Sequence, residues 1–187
     1  MKRLLAMLAA MTLLCAAAVA EEDGFVEVDL GILTLTVPEE AYIKTYPRAD
    51  GATIAMILPG GLHAAPAPVT DSLVATWISD PFFSMNALAS EAFSQLALKL
   101  AVAKLAAQGI ATDNVELLDT GCDQLGDIPY FYLYYGFDAT YPLTNQPFPV
   151  RIVECDFMPE GDGLYSLILT SGSVEGLEAM LDYFDSF

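Results

Sequence analysis

Apolar and polar residues alternate along short stretches of this chain, which is the pattern of half-buried β-strands. The alternation is clear in Phe25–Asp29, and a second run, Ile32–Val37, stops at Pro38. Gly31 separates the two runs, so together they predict a β-hairpin. Further apolar runs predict strands at 52–58, 73–79, 115–120, 129–137, 150–157 and 164–170.

Proline- and glycine-rich stretches punctuate these strands and predict the connections between them. We expect a short helical turn at Pro38–Tyr42, an irregular loop at 62–71, turn regions at 121–127 and 160–163, and a loop that carries Pro142, Pro147 and Pro149.

A helical pattern occupies the middle of the chain. Residues 86–108 are rich in Ala, Leu, Lys, Gln and Glu, all of which favour helix. Apolar residues cover more of this helix than a single core-facing side requires. We therefore expect either burial on most sides or an apolar surface near Leu98 and Val102 that meets a partner. Ser171 or Ser173 begins a second, C-terminal helix.

The most aromatic strand alternates two sets of side chains. Tyr130, Tyr132 and Tyr134 point to one side, and Phe131, Leu133, Tyr135 and Phe137 point to the other. We expect a central strand covered on both faces, with an aromatic binding platform as the alternative.

The order of elements favours the α+β class, because runs of strands are separated from the helices. We expect a mostly antiparallel sheet flanked by one long central helix and a C-terminal helix, in an α/β/α sandwich.

The first twenty residues have the layout of a secretory signal peptide. Lys2 and Arg3 precede an apolar core at 4–14, and Ala18-Val19-Ala20 is a cleavage site. We expect residues 1–20 to be removed, leaving a single domain at 21–187, secreted or in the cell envelope, with no membrane-inserted segment. Lipidation at Cys15 is the alternative, although Leu14 is a poor residue before a lipidated cysteine.

The charge balance limits the classes of molecule that this chain can bind. The whole chain carries a net charge of −18, and removal of Lys2 and Arg3 leaves five basic against 25 acidic residues, a net charge of −20. Nucleic-acid binding is excluded, because it needs basic side chains on the phosphates. Docking on an anionic lipid surface is disfavoured for the same reason.

Cysteine and histidine do not form a recognisable site. Cys122 and Cys155 remain after signal cleavage, and His63 is the only histidine. This set is too small for a zinc site. We expect two separate thiols, with a disulfide as the alternative, because bonding requires the two Cα atoms within about 7 Å.

The chain contains many Asp and Glu residues, but no sequence motif identifies a pair of them as a functional site. Asp156, Glu160 and Asp162 surround a glycine-rich turn and could offer oxygen ligands to Ca²⁺, but their spacing fits a solvated turn better than an EF-hand loop. His63 lies in a Pro/Ala loop, and the chain has no G-x-S-x-G nucleophile motif. We assign no catalytic residue, cofactor or metal.

Several features together resemble a known family. They are the hairpin ending in Thr36-Val37-Pro38, the mid-chain helix, the three strands that follow it, Tyr165–Thr170, and the final helix closing in Asp185-Ser186-Phe187. This arrangement resembles the PsbP-like α/β/α sandwich, a family that includes exported bacterial proteins of unknown role. The resemblance implies a non-catalytic binding or assembly protein and identifies no ligand residues.

We therefore expect an exported, non-catalytic binding or assembly module for an unknown protein partner or small ligand. The candidate interaction surface comprises Leu98, Val102, Tyr141 and Phe148. The alternative is a carboxylate-dependent hydrolase, which a cleft with two carboxyls, one of raised pKa, would favour.

Overall fold

The computed structural model describes residues 24–31, 33–47, 53–62, 69–79, 91–107, 114–140, 146–157 and 163–184. The predicted signal peptide at 1–20 lies outside these ranges. The strands are β1 (Phe25–Asp29), β2 (Thr34–Pro38), β3 (Tyr42–Pro47), β4 (Thr53–Leu58), β5 (Ser72–Ser79), β6 (Glu116–Leu125), β7 (Ile128–Thr140), β8 (Pro147–Phe157) and β9 (Gly163–Ser171). The helices are α1 (Glu91–Ala107) and α2 (Val174–Leu181), and a 3₁₀ turn, Asp182–Phe184, follows α2.

The strands form two antiparallel sheets. β1 and β2 pair as the predicted hairpin. The other seven strands form one sheet in the order β3-β4-β5-β9-β8-β7-β6, and every neighbouring pair is antiparallel. The predicted α+β class with a mostly antiparallel sheet is therefore confirmed.

The large sheet buries side chains on both of its faces. On one face, the hairpin and α2 cover a cluster that includes Leu35, Val37, Leu167, Leu177 and Met180; we call this the hairpin-side core. On the other face, α1 covers a cluster that includes Ala101, Leu105, Phe131, Leu133 and Phe137; we call this the α1-side core.

β7 lies between these two cores and uses both of its faces. Tyr130, Tyr132 and Tyr134 belong to the hairpin-side core, and Phe131, Leu133, Tyr135 and Phe137 belong to the α1-side core. The alternation of aromatic residues therefore reflects a central strand covered on both sides, as the sequence predicts.

The predicted long central helix is corrected by the structure. α1 has 17 residues, Glu91–Ala107, and covers only part of one sheet face. Residues 86–90 and 108 of the predicted helix lie outside the described ranges. The sheet, which offers two faces for burial, contributes most of the core, so the helix does not need to be buried on most sides.

α2 begins at a serine cap. Ser173 is the N-cap, and its hydroxyl accepts a hydrogen bond from the Gly176 N–H at 3.0 Å. Ser171, the other candidate, donates to Asp71 Oδ1 at 2.6 Å and accepts from the Ser173 N–H at 3.1 Å. Ser171 therefore supports the cap from within the sheet. A Cβ at Gly176 would collide with the Ser171 hydroxyl, so glycine is required for this close approach.

The structure adds one strand to the sequence prediction and lengthens others. β3 was not predicted; it is an edge strand paired only with β4. β6 continues through Gly121, where a Cβ would lie 2.9 Å from the Tyr132 hydroxyl. β8 begins at Pro147, and its first four residues pair with β7 alone, because the β8–β9 register begins at Arg151. One side of that segment needs no N–H donor, so a strand can contain Pro147 and Pro149 there.

Candidate functional site

Two acidic side chains lie next to each other on the middle of the sheet. Glu154 and Asp156 are two residues apart on β8, so both point to the face that carries α1. Asp156 lies opposite Ser166 of β9 and Phe131 of β7, and Glu154 lies opposite Leu133 of β7. Strand pairing thus places both carboxyls beneath α1, and we call them the carboxyl pair.

The carboxyl pair is held by one hydroxyl and one ammonium group. Ser166 Oγ donates to Asp156 Oδ1 at 2.6 Å and lies 3.5 Å from Glu154 Oε1. Lys104 Nζ of α1 lies 3.6 Å from Glu154 Oε1. The Asp156 residue is only 9% exposed and the Glu154 side chain 14%, whereas the Lys104 side chain is 64% exposed. One partly solvated cation therefore faces one buried and one half-buried carboxyl.

Burial changes the protonation of this pair. Loss of solvation raises the pKa of Asp156 to about 7, and the negative charge of Glu154 acts in the same direction. The Ser166 hydrogen bond and the Lys104 charge act against this shift and lower the pKa. Asp156 can therefore bind or release a proton near neutral pH, while Glu154 interacts with Lys104.

Sequence reasoning grouped Asp156 differently. It associated Asp156 with Glu160 and Asp162 in a turn, but Asp156 lies within β8 and faces α1. Glu160 and Asp162 lie outside the described residues. The usable signal was the polar pair Glu154 and Asp156, two residues apart in an otherwise apolar strand.

Cys122 and Cys155 are free and separate. Cys122 lies opposite Phe131, and Cys155 lies opposite Tyr132, so the thiols point to opposite faces of the sheet. The expectation of two separate thiols is confirmed. Burial, with Asp156 and Glu154 nearby, raises the pKa of Cys155 far above its ordinary value, which opposes thiolate formation.

The predicted interaction residues lie at or near the α1-side core. Leu98 and Phe148 pack against this core and are half-buried, and Val102 is also half-buried. Tyr141 lies outside the described residues. Leu98 on α1 and Phe148 on β8 thus pack against the same core.

Among the described side chains of α1, the large apolar ones that are exposed are two that the sequence did not single out. Leu96 is 46% exposed and Leu100 is 48% exposed. They are four residues apart and share one side of the helix, opposite Ala101 and Leu105. Lys99 and Lys104 are exposed beside them, and residues 92–107 contain no Asp or Glu. We call Leu96, Lys99, Leu100 and Lys104 the outer face of α1.

Two pockets lined by described residues lie away from the carboxyl pair. One borders the hairpin-side core and is lined by residues that include Tyr130, Cys155 and Phe184. The other lies towards one end of β7 and is lined by residues that include Gly136, Asp138 and Arg151. A Cβ at Gly136 would lie 2.6 Å from Arg151 Nη1, so the absence of a side chain makes room for the guanidinium group.

Neither a metal centre nor a membrane span is found in the described part of the chain. The described residues contain no group of three or more His, Cys, Asp or Glu side chains that could hold a metal ion. Within the same ranges, no helix is both long enough and apolar enough to cross a bilayer.

Comparison with known proteins gives a structural likeness only. No protein-family model matches the chain. No curated protein matches it either. The solution structure of cyanobacterial PsbP (CyanoP) from Synechocystis sp. PCC 6803 matches 92% of this chain and 94% of its own, with 12% identity and a TM-score of 0.55. A protein of unknown function from Pseudomonas aeruginosa, PA94, matches 88% of this chain and 96% of its own, with 11% identity and a TM-score of 0.35. The likeness to CyanoP over nearly the full length of both chains shows that this chain has a PsbP-like fold.

Proposed function

We propose that this chain is a non-catalytic binding module that acts outside the cytoplasm after removal of residues 1–20. The observation that carries the proposal is the outer face of α1. Leu96 and Leu100 are about half exposed there, on a helix that the sheet packs against from one side only. Exposed leucines in adjacent turns of a helix are typical of a contact that another molecule covers.

The charges around this face indicate the chemistry of the partner. The mature chain has five basic residues, and two of them, Lys99 and Lys104, flank Leu96 and Leu100. A local basic rim in a chain of net charge −20 favours a protein segment with apolar anchors and flanking carboxylates. The half-buried Leu98 and Val102 support the helix beside this face, and Phe148 and Tyr141 are proposed to extend the contact.

A capture experiment with matched variants tests this proposal. Leu100→Lys puts a charge on the outer face, while Val174→Lys changes a similarly exposed residue (44%) on α2. Tagged full-length protein would be expressed in its own cells, and its partners would be crosslinked and identified. The expected result is a partner retained by the wild type and by Val174→Lys and lost with Leu100→Lys. A partner retained equally by all three would contradict the proposed surface.

The proposed location has its own test. Intact mass and N-terminal sequencing of the protein recovered from cells should give a chain that begins at Glu21. A lipidated N-terminus at Cys15 would mean that the module is tethered to a membrane. An intact Met1 in fractionated cytoplasm would contradict export.

A carboxylate-dependent hydrolase is the second candidate, and the carboxyl pair favours it. Asp156, with a pKa of about 7, could donate a proton beside the Glu154 carboxyl. The burial of Asp156 beneath α1 argues against direct contact with a substrate. Turnover of polysaccharide or peptide substrates that Asp156→Asn and Glu154→Gln both abolish, with folding retained, would favour the hydrolase over the binding module.

A further inference from the structure

We propose that Glu154, Asp156, Ser166 and Lys104 form a proton-operated latch that holds the C-terminal half of α1 on the sheet. The latch is closed when Asp156 carries a proton and loosens when that proton is lost. Its Lys104 also belongs to the outer face of α1, the proposed binding surface, but the existence of the latch does not depend on any partner.

The geometry places all of the latch at one interface. Lys104 extends from α1 to Glu154 at 3.6 Å, and Ser166 connects Glu154 with Asp156 through its hydroxyl group. These groups come from three elements, α1, β8 and β9. A change of charge on Asp156 therefore acts on the contact between helix and sheet through the charge of Lys104.

The charge balance at this interface depends on a single proton. Among the described groups that face the pair, α1 contributes Lys104, β9 contributes the uncharged Ser166, and β7 contributes Phe131, Leu133 and the Tyr135 phenol. Burial and Glu154 raise the pKa of Tyr135, so this phenol stays neutral. With Asp156 protonated, one carboxylate faces one ammonium group. With Asp156 ionised, two carboxylates share that single cation.

The direction of the pH effect follows from the two states of Asp156. Its pKa is about 7 in the closed state, and exposure of the carboxyl to solvent on opening lowers this pKa towards its ordinary value of 3.8. Below about pH 7, opening therefore releases a proton. The equilibrium constant for opening should rise with pH, by at most about tenfold per pH unit, and level off above about pH 7.

When Asp156 loses its proton, α1 is the element that can move away from the sheet. The described side chains of α1 that are fully buried are Ser94, Ala101 and Leu105, of which two are small. The N-terminal half is tethered by the Ser94 hydroxyl, 3.2 Å from the Thr120 hydroxyl of β6. β8 and β9, by contrast, each have hydrogen-bonded neighbours on both sides. Lifting residues 101–107 exposes less apolar surface than separating these strands would, so the helix end should open first.

Hydrogen exchange of the full chain tests the latch. Amide protection in residues 101–107 would be followed by mass spectrometry from pH 5 to pH 8.5, after correction for the pH dependence of intrinsic exchange. We expect protection of this segment to fall with pH, by at most about tenfold per pH unit, up to about pH 7 and to be flat above, while β8 and β9 keep their protection. Asp156→Asn should abolish the slope.

Further variants should change, in predictable directions, the pH above which protection of residues 101–107 no longer falls. Glu154→Gln removes a charge that raises the Asp156 pKa, so the plateau should begin at lower pH. Ser166→Ala and Lys104→Gln remove groups that lower this pKa, so the plateau should begin at higher pH. Lys99→Gln, on the same helix, and Asp138→Asn, exposed on β7, are controls that should leave the profile unchanged.

Two results would overturn the latch. One is corrected protection in 101–107 that does not change between pH 5 and pH 7. The other is a pH dependence of protection that persists in Asp156→Asn. If that variant does not fold, the latch is overturned when protection in Glu154→Gln and in Lys104→Gln levels off at the same pH. Each readout is made on the protein alone, so loss of the proposed partner contact and failure of the latch are distinguishable.

Discussion

The indole ring of Trp77 occupies the space beside Gly163 in which any other residue would place its Cβ. Trp77 on β5 is paired with Tyr165 on β9, and their ring centroids are 6.2 Å apart at an interplanar angle of 53°. Gly163, at the start of β9, is therefore required by the packing of the only tryptophan in the chain.

Gly163→Ala is expected to destabilise the protein by about 1–3 kcal/mol, because the new methyl group must displace the indole ring. Urea unfolding followed by tryptophan fluorescence would measure both the lost stability and a shifted native emission. Gly172→Ala is the matched control, since its Cβ would meet Val69 at an ordinary 3.4 Å. Equal stability of the two variants would mean that Trp77 is not held against Gly163.

Asp156→Asn is expected to change the pH dependence of global stability. Since the folded-state pKa of Asp156, about 7, lies above the ordinary 3.8, the ionisable group contributes stability that is complete below about pH 4. This contribution is lost as the pH rises through 7. The asparagine variant cannot ionise, so its midpoint of thermal unfolding should exceed that of the wild type at pH 8 and approach it at pH 5.

The difference in unfolding midpoint between the wild type and Asp156→Asn separates the effect of Asp156 from that of the other 24 acidic residues, which neither pH curve does alone. A wild-type protein that remained more stable than Asp156→Asn at pH 8 would show that ionised Asp156 is well compensated in the folded state.

Lysine substitutions at two neighbouring leucines of α1 should have different effects. Leu98 packs against the α1-side core, so Leu98→Lys should cost about 1–2 kcal/mol. Leu100 is 48% exposed, and Leu100→Lys should change stability by no more than about 0.5 kcal/mol. Thermal unfolding of both variants at one pH measures the contrast. A larger cost at Leu100 would place that residue in a buried contact.

The thiols should react in two steps. Cys122 is exposed, and Cys155 is buried with a strongly raised pKa. We expect iodoacetamide at pH 8 to modify Cys122 in the native protein and Cys155 only after unfolding, as seen by mass spectrometry of the mature chain. Cys122→Ser should remove the native-state modification alone. A pair that stays unmodified in denaturant without reductant would be a disulfide.

Local patterning was sufficient to predict most of the sheet. Phe25–Asp29 was recognised from its alternation and 164–170 from its apolar run, because both patterns are properties of a few consecutive residues. The cap at Ser173 and the paired faces of Tyr130 and Phe131 have the same local origin. The α+β class followed from the order of these elements.

The missed strand and the missed start of β8 both depend on neighbouring strands. Tyr42–Pro47 has weak alternation and is a strand because β4 offers an edge. Pro147 and Pro149 are compatible with β8 only because β9 has not yet joined it at that point. Sequence patterns carry no information on which side of a strand is unpaired.

The candidate site was decided by the tertiary structure. The sequence by itself determined that residues 150–157 favour a strand, that the mid-chain helix is rich in leucine, and that the chain is strongly acidic, with a net charge of −18. Only the fold decided that Ser166 and Lys104, far from Asp156 along the chain, meet the carboxyl pair, and that Leu96 and Leu100 rather than Leu98 face solvent. The physical reason is that burial and charge pairing are set by strand register and helix docking, which join residues that no local pattern connects.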